Sequence, residues 1–104
     1  MKTSYFQVLI SAENRTQADA ILSALLKKKL VIGGLMLESP AKFWWKEKIL
    51  RMKYCNILTF SIAKHRKAIT AEVKRISVEE IPMVAFSSFE GNKEFLKWIN
   101  GTLG

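Results

Sequence analysis

An α+β fold of the ferredoxin-like type, βαββαβ with an extended β-hairpin and a C-terminal helix, is predicted by three features of this 104-residue chain. Two stretches, residues 14–29 and 64–76, carry apolar residues at helical spacing. Between them runs a long segment, residues 30–62, with strand character and no helical period. A short apolar run at residues 83–89 follows the second helix, and Gly91-Asn92 then opens a closing helix. At 49% hydrophobic and 25% charged residues, the chain reads as one domain, residues 1–104, with a small core that gains from oligomerising.

In chain order, residues 5–11 form the first strand, because Phe6, Val8 and Ile10 alternate with Gln7 and Leu9. Asn14 caps the first helix, with Gln17 in the capping-box position. That helix runs to Lys28 or Lys29 and buries Ala18, Ile21, Leu22, Leu25 and Leu26. Residues 30–37 are an apolar second strand, with a bulge or close backbone approach at Gly33-Gly34. No Lys-Ser/Thr follows those glycines, so they are not a phosphate loop. Ser39-Pro40 is expected to turn the chain into an aromatic strand, residues 42–49. Residues 52–62 follow as another strand, with Tyr54, Asn56, Leu58 and Phe60 on one face and Cys55, Ile57, Thr59 and Ser61 on the other. The three strands then make one antiparallel meander. The second helix buries Ala68, Ile69, Val73 and Ile76 and turns Lys64, Arg66, Lys67, Lys74 and Arg75 outward. Glu79-Glu80-Ile81-Pro82 connects it to the last strand, and the closing helix, residues 93–100, buries Phe95, Leu96 and Trp98 or Ile99.

Chemistry is sparse. The single cysteine, Cys55, excludes an intrachain disulfide and reads as a small core residue; the single histidine, His65, reads as ordinary surface. Cys55 and His65 have no sequence reason to meet as a replacement metal site. No nucleophile elbow and no carboxylate pair on an apolar background point to an enzyme. Met1 is followed by polar residues, and no apolar run approaches the roughly 18 residues that span a bilayer, so a soluble, cytoplasmic protein without a membrane partner is expected. The net charge of +8 reads as a solvated face rather than a nucleic-acid site, because no recognition motif accompanies it. The run Ala41-Lys42-Phe43-Trp44-Trp45 is too aromatic for so small a chain to bury alone, which points to packing between subunits.

These motifs resemble the CutA family of divalent-ion tolerance proteins along nearly the whole chain. The resemblance rests on Leu30-Val31, Phe43-Trp44-Trp45, Lys48-Ile49, Glu80-Ile81-Pro82 and the closing Gly91-Asn92-Lys93-Glu94-Phe95-Leu96-Lys97-Trp98-Ile99. It implies a ferredoxin-like subunit assembling as a homotrimer through extended strands, with Phe43, Trp44 and Trp45 at the trimer interface, and a non-enzymatic role in tolerance of divalent ions such as copper. Lys48, Glu80 and Trp45 are the candidate binding residues at subunit-interface clefts; their bland alternative is an interface salt bridge between Lys48 and Glu80. The chain also departs from the family. Gly33 stands at the family's cysteine position and Leu35 at its asparagine, Lys46-Glu47 replaces Glu-Gly, Thr59-Phe60-Ser61 replaces Ile-Lys-Thr, and Ser77 and Glu79 replace the histidine and tyrosine of His-Pro-Tyr. A soft divalent metal prefers thiolate and imidazole, so no cofactor and no metal ligands are expected. An alternative is a PII-like trimeric sensor binding an anionic small molecule through Lys46, Lys48 and Lys53; charge-driven nucleic-acid association is a third reading.

Overall fold

A long two-stranded hairpin dominates the computed structural model, which describes residues 4–104. The polar start at residues 1–3 lies outside the described residues. Strand β1 (Tyr5–Ile10) leads to helix α1 (Arg15–Lys27), strands β2 (Gly34–Trp45) and β3 (Lys48–Ile62), a single 3-10 turn (Ala63–His65), helix α2 (Arg66–Ile76), strand β4 (Val84–Ser88) and helix α3 (Lys93–Leu103). The sheet is antiparallel with order β2-β3-β1-β4, the ferredoxin-like arrangement that the element order predicts.

The hairpin corrects the expected meander. Ser39-Pro40 makes no turn: Pro40 stays in β2 opposite Lys53, and residues 34–45 form one strand. β2 lies at the edge of the sheet, where a missing backbone donor is tolerated. Reversal comes at Lys46 (φ 47°) and Glu47 (φ 69°), both left-handed as a two-residue type I′ turn requires. Leu30, Val31 and Ile32 are buried but precede the strand.

Alternation in β3 divides the core as expected. Cys55, Ile57, Thr59 and Ser61 are buried, with Cys55 and Ile57 packed beside Ile21, Leu25, Ile69 and Val73 from α1 and α2. A second cluster joins Ile32, Ile62, Ile99 and Leu103, flanked by Phe60, Phe89 and Phe95. α3 is a turn longer than predicted, and its inward residues are Ile99 and Leu103, with Trp98 exposed. Leu26 and Ala68, expected inside, are exposed. Asn14 caps α1 by accepting from the Gln17 backbone N–H at 2.9 Å. The Gln17 side chain does not close a capping box; its Oε1 accepts from Val78 N–H at 2.6 Å, tying the start of α1 to the α2–β4 connection.

Glu72 takes an inward position on α2 that periodicity assigns to no apolar residue. Only 5% exposed, it accepts from Arg75 (3.0 and 2.8 Å) and from Lys28 Nζ (2.9 Å). Arg75 first and Lys28 second hold its carboxyl down at about 2, against desolvation. A folded value below the unfolded one adds stability above about pH 4.5 that is lost as pH falls towards 2. Acid denaturation followed by circular dichroism is therefore expected to fall less steeply in that window for Glu72→Gln than for the wild type.

Candidate functional site: a groove beside the hairpin

Because side chains directly opposite in an antiparallel pair share a face, the register sets Ala41 with Met52, Phe43 with Leu50 and Trp45 with Lys48 on the face away from α1 and α2. The outer half of that face and the α2–β4 connection enclose a groove of about 780 Å³. Tyr54, Asn56, Phe43 and Trp45 line it from the hairpin, Val78, Glu79, Glu80, Ile81 and Met83 from the connection, and Ser11 and Glu13 from the end of β1.

The connection is held by polar contacts. Ser11, 6% exposed, donates from Oγ to Glu79 Oε2 at 2.6 Å and accepts from Met83 N–H at 2.8 Å. Ser11 N–H also donates to Met83 O at 3.0 Å, and Glu79 N–H to Ser77 Oγ at 3.1 Å. Tyr54 meets Phe43 edge-on, with ring centroids 5.7 Å apart. Burial, and then the carboxylates of Glu79 and Glu13, push the Tyr54 phenol up to about 12, so it stays a neutral donor. Asn56 Oδ1 is buried without a hydrogen-bond partner.

Of the predicted site residues, Trp45 and Glu80 line the groove and Lys48 does not. Lys48 is exposed across from Trp45, and the lysine near Glu80 is Lys46, whose Nζ lies 4.0 Å from Glu80 Oε2 and 5.5 Å from the Trp45 ring centroid. The left-handed turn swings Lys46 back over the ring. Phe43 and Trp45 are half-buried in the groove, while Trp44, 71% exposed, faces the other way. Sequence reading missed Ser11, Glu13 and the groove-facing role of Glu79; the shared face of Tyr54 and Asn56 was the one pattern that pointed here.

The donors do not fit a soft divalent ion. Cys55 is 2% exposed in the core beneath α1 and α2, whereas His65 sits beyond the end of β3 with Nε2 2.9 Å from Leu103 O. Among the described residues no three His, Cys, Asp or Glu gather as a ligand set. At Gly33 the backbone has φ 154°, which an L side chain rarely adopts. Ser77 accepts from Glu79 N–H, and Leu35 is exposed on the open face.

A ferredoxin-like sheet with an overlong hairpin, and a groove between that hairpin and the α2–β4 connection, define the class. Within it the chain belongs to the CutA1 divalent ion tolerance protein family, whose model it matches over residues 6–102. It is 28% identical over 97 residues to the divalent-cation tolerance protein CutA of Archaeoglobus fulgidus, covering 92% of this chain and 95% of that one. The CutA protein of Thermococcus kodakarensis is 24% identical over 83 residues, 79% of this chain and 80% of the relative. Among solved structures, the A. fulgidus protein, described as periplasmic, superposes with a TM-score of 0.92 at 26% identity, covering 96% of this chain and 99% of that one. CutA1 from Oryza sativa reaches 0.92 at 16% identity, with 97% and 94% covered, and speaks for the fold alone. Among the described residues no helix is long and apolar enough to cross a membrane.

Proposed function

We propose that this protein acts in tolerance of, or response to, divalent metal ions, copper among them, as a non-enzymatic homotrimer in the cytoplasm that lacks the family's cysteine and histidine ligands. The family match over residues 6–102 carries the reading. Assembly is supported by the sheet face opposite α1 and α2, where register aligns Leu35, Leu58, Leu9 and Ala85 across all four strands, and Leu35 is 56% exposed. Such an apolar face, with β3 paired on one side only along its outer half, suits burial against further copies. The aromatic tip contributes Phe43 and Trp45 to that face, with Trp44 exposed on the other side of the hairpin.

The alternative, a PII-like sensor of an anionic small molecule, needs Lys46, Lys48 and Lys53 in the groove. Lys53 instead lies on the helix-side face, 4.0 Å from Glu38, and the groove is faced by Glu13, Glu79 and Glu80, so the geometry favours the first reading.

The deciding experiment is growth across a copper series of a strain lacking the gene. Heightened sensitivity, restored by the wild-type gene, is expected; growth indistinguishable from the parent would overturn the role. Fractionation of the same cells tests the compartment, with the protein expected in the cytoplasmic fraction. Calorimetric titration of the tag-free protein with copper and zinc is expected to give no tight, stoichiometric binding.

A further inference from the structure

We propose that the helix-side face of the outer hairpin binds single-stranded nucleic acid, with Lys42, Arg51 and Lys53 on backbone phosphates and Trp44 under a base. This face lies across the sheet from the one proposed to hold copies together. The inference goes beyond the tolerance reading and does not depend on it.

Charge is the first observation. Residues 42–53 hold five basic side chains and one acidic, half of the chain's net +8 within twelve positions. Register sorts them. Cys55 is buried beneath α1 and α2, so the residues alternating with it towards the tip, Lys53, Arg51 and Ile49, stand on the helix side with their partners Pro40, Lys42 and Trp44. Lys42 and Arg51 are directly opposite one another, and like charges so placed oppose folding. Among the described residues neither has a carboxylate within 4.0 Å, and the one acid on the strands of this face, Glu38, is already shared by Arg15 and Lys53. A polyanion laid across such an uncompensated pair relieves the repulsion.

Exposed aromatic surface is the second. Trp44 is 71% exposed and its partner Ile49 58%, in the row next to Lys42 and Arg51. An indole left open beside two cations is a stacking platform for an unpaired base of any kind, while the cations take the phosphates.

Shape is the third, and it selects the partner. The molecule measures 45 Å along its hairpin-bearing long axis against 24 and 21 Å across. Helix α1 begins at the inner end of the basic face, where Arg15, its first residue, bonds to Glu38 on β2. A helix layer roughly 10 Å thick therefore walls the inner end of a basic floor. A flat anionic bilayer cannot lie in that corner, whereas a flexible single strand can, and only nucleic acid brings a base to Trp44.

The test uses the full chain in its native assembly and a fluorescein-labelled oligothymidylate of about 16 nucleotides, the upper site size of a single-strand-binding module. Saturable binding, read by anisotropy and tryptophan quenching, is expected. Its log Kd should rise with log salt concentration at a slope of about 2, as three phosphate contacts on a single strand require. A duplex of the same length, polyglutamate and phosphatidylserine vesicles are each expected to bind about tenfold more weakly or less, because none offers Trp44 an unpaired base. Lys42→Gln combined with Arg51→Gln is expected to weaken the oligonucleotide about tenfold and to flatten the salt slope to about 0.7. Trp44→Leu should weaken it about tenfold with the slope unchanged. All three side chains are exposed, so these variants keep the fold, and loss of the like-charge pair should hold or raise Tm. Lys64→Gln combined with Lys67→Gln, which removes the same charge from exposed positions at the start of α2, should leave binding within about twofold of the wild type. Absence of saturable binding at low salt would overturn the proposal, as would equal losses in the two double variants, which would reduce the effect to net charge. A duplex, polyglutamate or vesicles bound as tightly as the single strand would also overturn it. So would a fall in native mass for Trp44→Leu, which would give this face to a second copy. None of these outcomes bears on growth in copper.

Discussion

Leu58→Glu is expected to dissociate the assembly into folded monomers. Leu58 is the centre of the open face: it pairs with Leu35 in β2 and with Leu9 in β1, and Leu9 pairs with Ala85 in β4. Its neighbours Ile57 and Thr59 point the other way into the helix-covered core, so that core is untouched. If copies meet through this face, each brings a carboxylate into an apolar contact, at a cost of several kcal/mol per uncompensated ion. Three such charges around one axis also repel. Light scattering should report the 11.9 kDa of a single chain, with the far-ultraviolet dichroism of the wild type. Leu58→Met, which keeps size and apolarity, should leave the mass unchanged. An unaltered mass for the glutamate variant would show that assembly uses another surface.

Gly33→Cys, which returns the family's cysteine to its position, is expected to lose about 1–3 kcal/mol of stability and to gain no copper site. A Cβ at residue 33 would meet nothing within 4 Å, so space is not the obstacle; φ of 154° is. Gly34 differs, since a Cβ there would meet Leu58 O at 3.1 Å and Leu22 Cδ1 at 3.2 Å. The two glycines therefore serve separate needs, one conformational and one steric, at the entry to β2. Urea denaturation should give a lower midpoint for the cysteine variant, and calorimetry no stoichiometric copper. A variant as stable as the wild type that binds copper tightly would mean that one substitution separates this chain from a metal-binding relative.

Local chemistry made the βαββαβ order readable. Asn14 caps α1 as its side chain allows, and the alternation from Tyr54 to Ser61 sorts the two faces of β3 as strand geometry demands. Legibility failed where tertiary pairing overrules local preference. Ser39-Pro40 has turn composition, but β2 is an edge strand and its pairing with β3 carries Pro40 through. The true turn, Lys46-Glu47, has neither Asn nor Gly, so nothing local marks two left-handed residues; the register of twelve flanking pairs forces them. Within one chain the reversal brings Lys46 rather than Lys48 to Glu80. The groove was the least readable part. Ser11, Glu13, Tyr54, Asn56 and Glu79 come from three separate segments, and their meeting depends on long-range β1–β3 pairing and on the contacts of Ser11 with Glu79 and Met83, which no local pattern announces.

The native mass of the wild-type protein, measured by light scattering before and after copper and again after chelator, tests the central claim most directly. A mass three times the 11.9 kDa chain, indifferent to both additions, is the predicted result. A monomer, or an assembly that forms with copper and falls apart with chelator, would contradict the account of a trimer held by its open sheet face without metal ligands.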